Sequence, residues 1–185
     1  MYERDDFDPL APSQWPEQLA QLKSGFAARL NVYHVMAHHP DLLKAWAGLR
    51  QHVVVDNVLG PELSEVAILR AAFHMDSAYE QAHHIVRARA CGLDDRSIRE
   101  IVAGATVSNP RYRAVAIAVD DLSTSRQLSG DSIAAVTRLA GKAGVLDLIA
   151  VVGFYTTLAF ILNSFDTPID PDVAQELVEA PLQPL

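Results

Sequence analysis

The sequence predicts an all-α protein, a compact bundle of about eight helices joined by short connections. Three observations carry this. Apolar residues recur three and four apart through most of the 185-residue chain. Proline, serine and aspartate stand where these patterns begin, and glycine where they end. No run reads as a strand: "VVVD" is short, and "VAIAV" lies inside a longer helical pattern.

The elements follow in order. Residues 1–15 hold Pro9 and Pro12 among acidic and aromatic residues. They read as an irregular arm whose Tyr2, Phe7 and Trp15 are available to pack on a neighbouring chain. A single helical domain is expected over 16–166. Pro16 opens "PEQLAQLKSGF", since proline suits the first helical position. "NVYHVMAHH" is a short helix, because Pro40 disfavours helical geometry at His39. "PDLLKAWAGLRQHVV" follows, with Leu42, Leu43, Trp46 and Leu49 expected on one face.

"LGPELSEVAILRAAFHM" carries the clearest pattern. Glu62 and Glu65 suit its positive N-terminal end, and Leu63, Val66, Ala67, Leu69 and Ala71 leave little room for a polar face. This helix is expected to be buried widely, in the core or in a subunit interface. "SAYEQAHHIVRARACG" is closed by Gly92, and "DDRSIREIVAG" is capped by Asp94 or Asp95 and closed by Gly104. "PRYRAVAIAVDDLSTS", "SGDSIAAVTRLAG" and "GVLDLIAVVGFYTTLAFILNSF" complete the bundle. Residues 167–185 read as a mostly irregular tail, with one helical turn around Val173 to Val178.

Composition narrows the function. A formal charge of -8 argues against general nucleic-acid binding, which relies on Lys and Arg contacts to phosphate. Cys91 is the single cysteine, so no intramolecular disulfide and no Cys-x-x-Cys pair exists. A reducing, cytoplasmic setting is expected, and no secretory signal is visible in "MYERDDFDPL". The most apolar stretch, Leu148 to Leu162, is shorter than the ~20 residues that span a bilayer, so a core helix is expected and no membrane partner.

The chemistry concentrates in "HMDSAYEQAHHIVRARACGL". Ser77 and Glu80 fit a capping box, in which Ser77 caps the helix and Glu80 reaches back to its backbone N–H. Glu80 and His84 are also four apart, on one helix face. Glu65 joins them if the preceding helix folds back near Met75 and Asp76. Two carboxylates and an imidazole converging between apolar helices would suit proton transfer. Glu80 to His83 also has the Glu-x-x-His spacing of di-iron bundles, but no second such motif completes a ligand set, so no metal and no cofactor are expected.

Four segments, "LNVYHVMAHHPDLLKAW", "ELSEVAILRAA", "YEQAHHIVRARACGL" and "GFYTTLAFILNSF", together resemble the carboxymuconolactone decarboxylase family, related to the alkylhydroperoxidase D-like proteins. The match runs in order from about Asn31 to Phe165. The resemblance implies an all-helical trimer or hexamer with its active site between subunits. The peroxidase branch of that superfamily carries a Glu, then Cys-x-x-Cys, then a His four residues after the second Cys. Aligned on His84, this chain keeps Glu65 and His84 but has Ser77 and Glu80 at the cysteine positions. Thiolate chemistry needs a thiolate, and Cys91 has no partner cysteine.

The resemblance therefore implies a cofactor-free decarboxylase-like lyase acting on a small carboxylated lactone or related carbonyl compound. His84 would donate the proton, with Glu80 or Glu65 orienting it or shuttling the proton. Arg70 or Arg87 would anchor a carboxylate; a structural ion pair is the alternative for each. Ser77, Tyr79, His83 and His38 complete the substrate-binding candidates, with His34 and His39 beside them. An alkylhydroperoxidase-like antioxidant protein and a non-catalytic, ligand-binding helical oligomer are the other readings.

Overall fold

A computed structural model describes residues 4–183. Tyr2, expected to pack on a neighbour, lies outside the described residues. Among the described residues the chain is helical with no strand. Four short 3-10 turns, Arg4–Phe7, Pro12–Gln14, Glu17–Leu22 and Phe26–Arg29, lead into eight α-helices. These are α1 (Asn31–Met36), α2 (Pro40–Arg50), α3 (Gly60–His74), α4 (Ala78–Ala90), α5 (Asp95–Val102), α6 (Pro110–Ser125), α7 (Gly130–Ser164) and α8 (Pro171–Glu179). The helix expected from Pro16 is instead two 3-10 turns with Gly25 between them.

α3 is the axis of the bundle. Every residue from Leu63 to Ala72 is buried, as the lack of a polar face predicts. α4, α5, α6 and α7 of the same chain pack around it, so its burial needs no second subunit. The arm also packs on its own chain. Trp15 is buried and donates from Nε1 to the Leu10 carbonyl, and Phe7 stacks on Phe165 at 4.3 Å.

Two regions differ from expectation. On α2, Leu43 is fully buried, whereas Leu42 and Leu49 are exposed. Leu42 and Leu49 are seven apart and share a side, but it is the outer one; Leu43 and Trp46 turn inward. α2 then runs into a π-helical turn, Gln51–Asp56, where the β-branched "VVV" sits. The tail is more ordered than the sequence indicated. Asp170 followed by Pro171 starts α8, and α8 packs against α4.

α7 joins end to end the two helices read from the sequence, and breaks where they meet, at Gly141 (φ 70°, ψ −174°). By length and composition α7 is long and apolar enough to cross a bilayer. Its inner face, including Leu148, Val151, Tyr155 and Leu158, is core of this chain.

α4 ends as its glycine predicts. Gly92 has φ 96°, its N–H bonds the Arg89 carbonyl, and Leu93 N–H bonds the Ala88 carbonyl. This is a Schellman cap, with buried Leu93 as its apolar lid. Open space surrounds Gly92, so a Cβ there meets no atom and only the left-handed backbone resists it. Gly92→Ala is expected to lower the unfolding free energy by about 1 kcal/mol, read from the midpoint of a urea titration.

Candidate active site

The site is built by the turn between α3 and α4. Asp76 takes a left-handed conformation (φ 49°), which a short polar side chain tolerates. The Ser77 N–H bonds the Ala72 carbonyl at 3.0 Å, folding α4 back along α3. Ser77 Oγ accepts the Glu80 N–H at 3.5 Å and so caps α4. The expected return bond from Glu80 is not made, because the Ser77 N–H is already taken. Glu80 is thereby left to turn toward His84.

His84 sits between two carboxylates. Its Nδ1 lies 2.6 Å from Glu65 Oε2, and its Nε2 lies 3.3 Å from Glu80 Oε2. All three residues are buried, with His84 only 1% exposed. The edge-on ring of Tyr155 stands 4.9 Å away. Glu80 Oε1 is buried with no hydrogen-bond partner. Burial alone would lower the His84 pKa, but the charge and hydrogen bond of Glu65, joined by the Glu80 hydrogen bond, outweigh it and raise the imidazole above its usual 6.5.

That direction fixes a sign. Above about pH 6.5 the unfolded histidine loses its proton while the native one keeps it, so the native state binds more protons. Stability contributed by His84 is fully present below about 6.5 and is lost as pH rises through the raised native value. A series of urea titrations from neutral into alkaline pH is expected to show this loss in the wild type. His84→Gln should remove that component of the slope.

A cavity of about 20 Å³ adjoins this triad, lined by Tyr33, Glu80, His84, Arg87 and Tyr155 among others. That is room for about one water molecule. Burial pushes the Tyr33 hydroxyl up to about 12, and burial with the charges of Glu80 and Glu65 raises Tyr155 well above its usual value. Both phenols therefore stay protonated and able to donate. The Arg87 guanidinium has no ion-pair or hydrogen-bond partner among the described residues. Glu65 also lines a second cleft, of about 170 Å³, below the π-helical turn. A larger groove of about 620 Å³ lies between α6 and the first half of α7. It holds no residue of the triad, so chemistry rather than size places the site.

The other sequence candidates are placed as follows. Tyr79 and His83 border the small cavity but are engaged with the tail. Both bond Asp170 Oδ2, with His83 Nε2 at 2.8 Å, and their rings stack at 3.9 Å. Asp170 also accepts the Asn31 N–H, capping α1 rather than its own helix. Ser77 is fully buried beneath the α4 start. Arg70 lies away from the triad. It grips Asp120 through two bonds of 2.6 and 2.8 Å and donates to the Ile101 and Ala105 carbonyls. His38 is exposed against Phe7 and the Asp8 carbonyl, His39 caps α2, and His34 stands edge-on to Trp15. Asp170 and Tyr33 escaped sequence reasoning. The Asp-Pro pair at 170–171 marks a helix start, but nothing local ties it to His83. No group of three or more His, Cys, Asp or Glu among the described residues is arranged to hold a metal ion.

Fold and site define an all-α protein with carboxylates and an imidazole rather than a thiol pair at the α3–α4 turn. Residues 40–121, somewhat less than half of the chain, match the model of the Carboxymuconolactone decarboxylase family. No curated protein matches by sequence. Among solved structures, a cysteine-to-alanine variant of the debrominase Bmp8 in complex with 2,3,4-tribromopyrrole is similar in fold (TM-score 0.76, 18% identity, 96% of this chain and 97% of that one). The apo form of Bmp8 is similar too (TM-score 0.68, 17% identity, 98% and 96%). So is a protein of unknown function from Agrobacterium tumefaciens, proposed as an antioxidant defence protein AhpD (TM-score 0.63, 18% identity, 71% and 92%).

Proposed function

We propose that this chain is a cofactor-free acid–base enzyme of the carboxymuconolactone decarboxylase type, acting on a small carboxylated lactone or related carbonyl compound. The observation that carries the reading is His84, held between Glu65 and Glu80 beside an unpaired Arg87. In the proposed reaction the substrate carboxylate leaves as CO2. The electron pair of the broken C–C bond flows into the conjugated carbonyl. Arg87 and the phenols of Tyr33 and Tyr155 stabilise the oxyanion. The His84 imidazolium is the proton store, and Glu80, whose Oε1 is unpartnered, passes the proton to carbon. The water-sized cavity must widen for substrate to enter.

The redox alternative runs through Cys91. Burial and the charges of Glu65 and Glu62 raise that thiol, which disfavours the thiolate. The test is an assay of carboxymuconolactone and related lactones by CO2 release. Glu80→Gln and His84→Gln are each expected to cut turnover by about 10²-fold or more, while Cys91→Ser leaves it unchanged. A wild type inert to every lactone, yet consuming peroxide in a Cys91-dependent way, would overturn the reading in favour of the antioxidant one.

The same reading takes the chain to work as a cytoplasmic homo-oligomer. Its support is the resemblance and an outward stripe on α7, where Leu146, Ile149 and Phe160 are exposed. A monomer in sedimentation equilibrium at micromolar concentration would contradict that part.

A further inference from the structure

The cleft that Glu65 lines is a second candidate site, distinct from the small cavity that Arg87 lines. The π-helical turn contributes Val54 and Val55, the segment after it Asn57, and α3 contributes Ser64, Glu65 and Ile68. Its volume of about 170 Å³ suits one ring: an apolar cavity of about 150 Å³ holds a benzene.

Its polar groups are almost all spoken for. Asn57 donates to the Val53 carbonyl and accepts from the Leu59 N–H and the Ser64 hydroxyl. Ser64 has thereby used its one donor. These bonds hold the two walls together and offer little to a ligand. Two groups remain: the free Cys91 thiol at the end of α4, a weak hydrogen-bonding group, and the Glu65 carboxylate, the strong acceptor. One of its oxygens serves His84, and the other accepts no hydrogen bond from a described residue. The side chain keeps 12% of its surface exposed, so it remains reachable. No Lys or Arg lines this cleft.

A cleft with apolar walls, one open acceptor and no cation rejects anions and favours a donor. We propose that it is a binding site for a small monocyclic molecule that carries one N–H or O–H donor and no negative charge. The donor bonds the free Glu65 oxygen, and the ring packs on Val54, Val55 and Ile68. This chemistry is the opposite of the Arg87 side, which suits a carboxylate. The two sites meet at Glu65, so a ligand here shares its carboxylate with His84 and is felt by that ring.

The inference rests on the Glu65 geometry and not on the proposed reaction, and it is read by binding alone. Benzylamine, benzyl alcohol and benzoate share one ring and differ in charge. Titrated into the wild-type protein near neutral pH, the first two are expected to bind at least about tenfold more tightly than benzoate, the factor that one charge-assisted hydrogen bond supplies. Saturation should shift the imidazole 15N signals of His84. Val55→Trp, at a position 57% exposed, should fill the cleft and weaken benzylamine by about tenfold or more with the melting temperature unchanged. Glu65→Gln should remove the preference for benzylamine and benzyl alcohol over benzoate. Benzoate binding as tightly as benzylamine, binding that survives Val55→Trp, or no binding by any probe would each overturn the site.

Discussion

Replacing His84 by alanine is expected to lower the unfolding free energy by about 3–5 kcal/mol, the cost of breaking a buried charge pair from one side. The effect is large because His84 serves two carboxylates at once. Its Nδ1 and Nε2 face Glu65 and Glu80 at 2.6 and 3.3 Å. Without the ring these two acids face each other across an apolar gap between α3 and α4, with Tyr155 on one side. The cavity left by the ring adds to the loss. Under the proposed function turnover disappears as well, since the proton store is gone. Urea titration measures the first effect and the lactone assay the second. His84→Gln, which can still donate to one carboxylate, is expected to recover part of the stability and none of the turnover.

The second large effect is expected at Arg70. Arg70→Leu should cost about 2–4 kcal/mol while leaving turnover per folded molecule intact. The guanidinium is buried and holds Asp120, on α6, with two bonds. It also satisfies the Ile101 and Ala105 carbonyls at the end of α5. Burial would raise Asp120, but the bonds and charges of Arg70 and His74 outweigh it and hold the carboxyl below its usual range. Leucine keeps the packing but removes all four bonds, leaving Asp120 with His74 alone, the Ile101 carbonyl with the Gly104 N–H alone, and the Ala105 carbonyl without its partner. The midpoint of urea denaturation measures the cost. Unchanged stability with lost turnover would instead make Arg70 the substrate anchor that the sequence left open.

Local signals account for most of what was legible. Consecutive apolar residues placed α3 at the centre, because no face of it suits water. Ser77 and Gly92 marked both ends of α4 through the backbone groups they satisfy or free. The break in α7 followed from Gly141. The meeting of Glu80 with His84 needed only the four-residue spacing, and Glu65 needed one tight turn at Asp76. What escaped is long in range or ambiguous in period. Asp170 reaches His83 and Tyr79 across 87 and 91 residues, and no local pattern records such a pairing. Leu42 and Leu49 share a side, but spacing does not say whether that side faces in. The second cleft depends on the π-helical turn Gln51–Asp56, where a helical period simply drifts.

The central claim is that Glu65 and Glu80 together hold a proton on His84. An NMR titration of the His84 imidazole nitrogens measures this directly, in the wild type and in Glu65→Gln. The wild-type ring is expected to stay protonated above pH 6.5, and the variant ring to lose its proton at lower pH, because burial then acts with less opposition. A wild-type midpoint at or below 6.5, or a midpoint that Glu65→Gln leaves unmoved, would contradict the account.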